Sequence, residues 1–192
     1  MEVVNYWDYK HPLEHTWTLW YLDSTRTKNW EECLMEVGSF STIEDFWCFF
    51  NHIKPVSHLK VGCDYSLFKR GIRPMWEDEA NKEGGRWMIN VDRKTTTPTL
   101  DKYWLELVMC MIGECFTDHN DNVNGATVNI RGKGNRISLW TRNTSNENGG
   151  MIKLGLKLKN VIGLPPTQVI TFQTHQDCAK INPSQAKVTY YI

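Results

Sequence analysis

The run Pro74-Met75-Trp76-Glu77-Asp78-Glu79 sets an indole directly before three carboxylates. Pro74 fixes one φ angle and, with the acids beyond it, argues for a loop rather than a helix or a central strand. A tryptophan beside a carboxylate in a loop offers a flat π face and an acceptor edge within one residue of each other. That pair suits a planar, electron-poor ring carrying N–H donors: the face stacks while the carboxylate collects the donors. The same hexapeptide also suits a tryptophan folded back on the core with solvated acids beside it, and taken alone it favours that arrangement.

A second constellation lies in residues 127–141. Thr127-Val128-Asn129-Ile130-Arg131 and Arg136-Ile137-Ser138-Leu139-Trp140 both alternate, and Gly132-Lys133-Gly134-Asn135 between them reads as a hairpin loop. Period two sends Val128, Ile130, Ile137 and Leu139 to the core and Asn129, Arg131, Arg136, Ser138 and Trp140 to the opposite face. Arg131 and Arg136 flank the turn on that face, Lys133 is at its tip, and no acid lies between Asn129 and Trp140. Like charges close together across a hairpin destabilise it. An anion would relieve them, and arginine forks suit phosphate oxygens. A solvated charged edge is the plain alternative; Trp140 on the same face counts against it.

Two apolar pairs raise a different possibility. Ile43 and Trp47 are four apart near or beyond the edge of one helical stripe. Leu105 and Met109 are four apart outside another, with Glu106 between them. Apolar pairs flanking an acid on the solvent side form a face on which a helical ligand docks, although extra core at a wide interface accounts for the first pair equally well.

The elements that must position these residues follow from periodicity. Residues 16–22 (T-W-T-L-W-Y-L) read as a strand. Trp30 then ends a polar, turn-prone segment, either as a lid for the core or as a displayed ring. Ser41-x-x-Glu44 predicts a capping box opening a helix over 42–53, with Phe46, Phe49, Phe50 and Ile53 as its core stripe. Residues 65–69 and 86–91 read as strands, so Trp76 lies on the connection between them. The clearest helix is 100–112, with Leu100, Tyr103, Trp104, Leu107, Val108, Met111 and Ile112 on one face. A third helix is expected over 148–159, though Gly149, Gly150 and Gly155 weaken it. Closing strands are expected at 169–172 and 188–192.

Composition bounds the rest. At 192 residues and 41% hydrophobic content the chain is expected to form one domain with a full core, residues 1–9 being a flexible leading segment. Lys+Arg 22 against Asp+Glu 22 leaves no net charge, which excludes a nonspecific nucleic-acid coat and restricts any such contact to a local patch. The six cysteines contain no C-x-x-C pair and no zinc-type spacing, so reduced thiols and no metal are expected. The chain opens on no apolar run of signal-peptide type, and no stretch is long enough to span a bilayer. A soluble monomer in the cytoplasm, or also in the nucleus, is the expectation, with no membrane partner. Nine tryptophans are more than a core ordinarily uses, so some should serve binding surfaces.

The motifs together resemble the translation initiation factor 4E family, which binds the 7-methylguanosine cap at the 5′ end of eukaryotic mRNA. The matching runs are His11-Pro12-Leu13, Glu44-Asp45-Phe46-Trp47, Gly62-Cys63-Asp64-Tyr65-Ser66-Leu67-Phe68-Lys69, Pro74-Met75-Trp76-Glu77-Asp78-Glu79, Gly84-Gly85-Arg86-Trp87 and Val128-Asn129-Ile130-Arg131-Gly132-Lys133-Gly134. The resemblance implies an α+β fold: a strongly curved antiparallel sheet of about eight strands, three helices on its convex back, and the cap in its concave face. It implies that Trp30 and Trp76 sandwich the methylated base, that Glu77 reads its N1–H and N2 amine, and that Trp140 packs near the N7 methyl. Arg131, Lys133 and Arg136 would hold the triphosphate, with Arg86 assisting, and no cofactor is required.

On the back, His11, Pro12, Ile43, Trp47, Leu105, Glu106 and Met109 match the family's site for a helix with the Tyr-x-x-x-x-Leu-φ motif. That motif occurs in the scaffold subunit of the cap-binding complex and in competing repressor proteins. Ile43 and Met109 stand where valine and leucine are commoner, a volume-tolerant exchange. Ser184 occupies the position of a regulatory phosphoserine, but Pro183 replaces the usual glycine before it. Two other classes share part of this chemistry. A cap-processing hydrolase would need a carboxylate cluster beyond Asp78 and Glu79. An aromatic-cage reader of methyl-lysine would have no use for the basic hairpin.

Overall fold

The computed structural model describes residues 9–23, 30–92, 97–180 and 187–192, and for residues 30, 31 and 97 the backbone alone. The side chain of Trp30, all of Ser184 and residues 1–8 therefore lie outside the described residues. Within them the chain runs β1 (Pro12–Asp23), α1 (Trp30–Cys33), β2 (Leu34–Thr42), α2 (Ile43–His52), β3 (Cys63–Lys69), β4 (Gly85–Val91), α3 (Thr97–Ile112), β5 (Val123–Asn129), β6 (Asn135–Thr141), α4 (Gly150–Val161), β7 (Thr171–Thr174), α5 (His175–Lys180) and β8 (Tyr190–Tyr191). The strands form one eight-stranded curved sheet in the order β2-β1-β3-β5-β6-β4-β7-β8, and every neighbouring pair is antiparallel.

Strand alternation divides the sheet into two faces. Tyr65 and Leu67 on β3, Ala126 and Val128 on β5, Ile137 and Leu139 on β6, and Trp87 and Ile89 on β4 enter the core. There they meet Phe46 from α2, Trp104, Leu107 and Val108 from α3, and Met151, Leu154 and Leu158 from α4. Burial of this apolar face, at roughly 25 cal/mol per Å², is what holds the three long helices to the sheet. Trp17, Trp87 and Trp104 are each no more than 2% exposed, so three of the nine tryptophans are core after all.

Several sequence expectations are corrected at this level. The helix start is capped by Thr42, whose Oγ1 accepts from the Asp45 amide at 3.2 Å. Ser41 lies within β2, and Glu44 turns instead to His11, so the Ser41–Glu44 capping box does not form. The α2 stripe is also shallower than its spacing suggests, since Phe46 is buried while Phe49, Phe50 and Ile53 are only half-buried. β2 has no counterpart in the periodicity: it lies on the sheet edge and, of its residues, only Phe40 is fully buried. α4 begins two residues later than expected, after Gly149 in the left-handed region at φ 72°. Its Gly155, which weakens the helix as a propensity, permits packing: a Cβ there would lie 2.6 Å from Trp87. α5 is an added element, and it lies on the sheet face opposite the three long helices, with His175 against Trp140 at 4.3 Å between ring centroids.

Candidate functional site

The residues left over by the core form the other, concave face. Asp64 and Ser66 on β3, Thr127 and Asn129 on β5, Arg136, Ser138 and Trp140 on β6, and Arg86 on β4 share one strand parity. The register sets Asp64 beside Asn129, Asn129 beside Arg136, and Trp140 beside Arg86. The hairpin therefore presents the side chains that alternation assigned to this face.

The loop carrying Trp76 closes one end. β3 and β4 are not neighbours, so residues 70–84 must pass over the ends of β5 and β6, which lie between them. Buried side chains tie that crossing down. Asn81 donates to the carbonyls of Arg73 and Met75, each at 2.9 Å. Asn124 of β5 donates to the Ala80 carbonyl at 2.7 Å and to Asn81 Oδ1 at 2.9 Å. The two Asp78 oxygens accept from the amides of Arg73 and Ala80, both at 3.0 Å. Trp76 is half-buried and Glu77 is exposed, and the Glu77 carboxylate has no side-chain partner among the described residues.

The result is a cleft in two chambers. The first, of about 350 Å³, is lined by Trp76 and Glu77 from the loop, by Trp140 and Arg86 from the sheet floor, and by Leu22 and Leu34 from the β1–β2 side. The second, of about 730 Å³, is lined by Arg86, Arg131, Lys133, Arg136, Asn90 and Asn129 among others. Arg86 and Asn129 belong to both. One chamber is thus aromatic with an exposed acid and the other cationic, and they adjoin at Arg86 and Asn129.

The electrostatics of the second chamber favour an anion. Arg86 is only 8% exposed, and burial holds its guanidinium below its ordinary value. It lies 5.9 Å from the centroid of the Trp140 ring, with Nη2 at 4.0 Å from the Cys178 thiol, and its Nε has no partner among the described residues. A buried cation short of acceptors gains from any ligand that supplies them. Burial, and then the neighbouring Arg131, likewise lower Arg136, whose Nε donates to Asn90 Oδ1 at 3.2 Å. Lys133 stands exposed at the hairpin tip.

Arg131 departs from the expectation of an unpaired cation awaiting a ligand. Both its terminal nitrogens engage the Asp64 carboxylate, Nη1 to Oδ1 and Nη2 to Oδ2, the latter at 2.9 Å. That hydrogen-bonded pair raises the arginine above its ordinary value. Nη1 also donates to the Ile130 carbonyl at 3.0 Å, which leaves the Nε–Nη2 edge of the fork as its open side. The anion that relieves the hairpin's like charges is therefore partly supplied by the protein. Asp64 lies just before the strand expected over 65–69, at the start of the longer β3, and nothing in the sequence says that β3 neighbours β5. His175 and Cys178, which back Trp140 and Arg86, carried no sequence signal at all.

Across the sheet, the second set of residues also gathers. Ile43 is 43% and Trp47 37% exposed, the latter braced by Phe46 and Phe50. Leu105, Glu106 and Met109 are half-buried on α3, which lies beside α2 with Phe50, Ile53, Trp104 and Leu105 around a shared hollow. His11 is held to the start of α2: the Ile43 amide donates to its carbonyl at 2.9 Å, and Glu44 takes its amide at 2.9 Å and meets its ring Nδ1 at 2.6 Å. The adjoining Pro12 starts β1 opposite Thr42 and is exposed.

Comparison with known proteins agrees with this geometry. The sequence profile of the family described as Eukaryotic initiation factor 4E matches residues 12–190. Eukaryotic translation initiation factor 4E1 of Drosophila melanogaster is 49% identical over 182 residues, 95% of this chain and 69% of that one. The complex of C. elegans eIF4E-3 with the 4E-binding protein Mextli and cap analog superimposes with a TM-score of 0.86 at 43% identity, covering 96% of this chain and 100% of the other. Ascaris suum eIF4E-3 in complex with the m2,2,7G cap gives a TM-score of 0.88 at 44% identity, covering 96% and 99%. The chain belongs to the eukaryotic initiation factor 4E family.

Proposed function

We infer that this protein binds the 7-methylguanosine cap of mRNA and, through its helical face, recruits the scaffold of translation initiation or the repressors that compete for it. The observation that carries this is the two-chambered cleft with Arg86 and Asn129 common to both parts. Methylation at N7 makes guanine cationic and electron-poor, so its ring stacks on Trp76 with a cation–π contribution, and Trp30 closes the sandwich. Base stacking of this kind is worth roughly 1–3 kcal/mol per base. Glu77 accepts from N1–H and the N2 amine, which adenine cannot offer; adenine would leave the carboxylate desolvated and unpaired. Trp140 forms the floor beside the methyl group. The phosphates run into the second chamber toward Arg86, Arg131, Arg136 and, at the rim, Lys133 as a point charge.

Binding rather than hydrolysis is the role assigned. Of the two acids a hydrolase could use there, Asp78 has both oxygens engaged by loop amides and Glu79 pairs with Lys82. A methyl-lysine reader would leave the cationic chamber without purpose. On the opposite face Ile43, Trp47, Leu105 and Met109 accept the apolar side of a Tyr-x-x-x-x-Leu-φ helix, with Glu106 and the His11-Pro12 segment at its edge. The place of action is then the cytoplasm, where capped messages are translated, with entry to the nucleus.

Tryptophan fluorescence on titration with m7GTP, GTP and the m2,2,7G analogue tests the reading. Trp76→Ala and Glu77→Ala should each weaken m7GTP by at least about 1.5 kcal/mol, roughly tenfold, while leaving the far-ultraviolet circular dichroism unchanged. Undiminished quenching in both variants would refute the assignment.

A further inference from the structure

The C-terminal end of α3 carries two cysteines five residues apart, Cys110 and Cys115. Helices commonly end in a left-handed residue that lets the chain fold back, joining the third residue from the end to the second beyond it. Here Glu114 is that left-handed residue, at φ 53°. The Cys115 amide donates to the Cys110 carbonyl at 2.9 Å, and the Glu114 amide donates to Met111 at 3.2 Å. In this motif the two outer side chains meet, and those side chains are the two thiols. The fold-back is held from outside: Asn120 donates to the Glu114 carbonyl at 2.7 Å and accepts from the Phe116 amide at 2.8 Å. Burial, and then the adjacent Cys115, push the Cys110 thiol up to about 12. Cys110 is 3% exposed, whereas Cys115 is open to solvent.

We propose that Cys110 and Cys115 form an oxidisable dithiol, a modification site that closes to an intramolecular disulfide in reaction with a small-molecule disulfide such as oxidised glutathione. Exposure sets the order of events. The Cys115 thiolate attacks one sulfur of the reagent, forming a mixed disulfide and releasing one thiolate. The Cys110 thiol then gives up its proton to solvent as its sulfur attacks the Cys115 sulfur, the Cys110–Cys115 bond forms, and the second thiolate departs, the raised Cys110 pKa making this the slow step. The protein loses two electrons and two thiol protons, and the reagent gains them as two thiols. The site lies in the helical layer and does not depend on the cap-binding reading.

The test treats the full chain with oxidised glutathione, quenches with acid, alkylates remaining thiols and maps each cysteine by mass spectrometry. In the wild type the segment bearing Cys110 and Cys115 should lose two hydrogen atoms and retain no glutathione. Cys110→Ser should instead accumulate glutathione on Cys115, and Cys115→Ser should leave Cys110 reduced. Cys48, exposed on α2, reports that the reagent is active. Persistent glutathione on Cys115 of the wild type, or alkylation of both thiols after Cys48 has reacted, would overturn the proposal.

Discussion

Asp64 changes how the basic residues of the cleft are to be understood. It lines the first chamber, its side chain is 10% exposed, and it grips an arginine that lines the second. A fork held at one end can turn only its other edge to a phosphate, so Asp64 acts as a positioning residue for Arg131 while adding a negative charge that offsets the cationic anion site. The two effects oppose one another and can be separated. Asp64→Ala frees Arg131 and adds net positive charge. Lost pre-organisation should lower triphosphate affinity by about 1.5 kcal/mol, the lower end of the range for a hydrogen bond to a charged group. The added charge should at the same time steepen the fall of affinity with salt. Titrations of m7GTP at several salt concentrations measure both. A rise in affinity at every concentration would mean that Asp64 only offsets charge. Trp47 is exposed beyond the α2 core stripe. Trp47→Ala should weaken a Tyr-x-x-x-x-Leu-φ peptide by at least about 2 kcal/mol, as buried aromatic anchors do, and leave cap affinity unchanged. Calorimetry with each ligand in turn decides it.

Elements were legible in proportion to how strongly their own side chains recorded their surroundings. The β5–β6 hairpin is buried on one face and lines a cleft on the other, so alternation alone assigned nine residues to the correct sides. α3 has a wide apolar stripe and was equally plain. β2 was missed because an edge strand half-open to solvent need not alternate, and α5 because six residues cannot establish a helical period. The start of α2 was misassigned for a different reason. Serine and threonine are both competent caps, and sheet pairing decided between them: β2 continues through Ser41, with Thr42 opposite Pro12. The distinction is measurable. Thr42→Ala should cost about 1 kcal/mol of unfolding free energy, Thr42→Ser much less, and Ser41→Ala within about 0.5 kcal/mol of nothing. Equal losses at positions 41 and 42 in urea denaturation would restore the capping box.

For the molecule as a whole, the telling group is one that took no part in the sequence argument. His175 joins the short helix to the cleft floor, 1% exposed, with its ring against Trp140 and both ring nitrogens without a partner among the described residues. Burial, followed by the nearby Arg86 charge, depresses its pKa from 6.5 to about 3. The folded chain therefore keeps this imidazole neutral over a range in which the unfolded chain protonates it. Stability must fall as the pH drops below about 6.5, by at most roughly 1.4 kcal/mol per pH unit for a single proton, until the folded-state value is reached. Glu44 and Asp45, lowered by His11 and Lys10 respectively, lose their contributions in the same direction, but only in the carboxylate range. The interval between pH 6.5 and 5 thus separates His175 from those two carboxylates. Urea midpoints at pH 7, 6 and 5 should decline steadily for the wild type and stay nearly level for His175→Gln and His175→Leu. Because cap ligands bind only the folded state, saturating m7GTP should raise all three midpoints. The wild-type slope should persist beneath that rise, since the proton is taken up by the unfolded chain. Parallel declines in wild type and variants would show that some other group governs the acid limb.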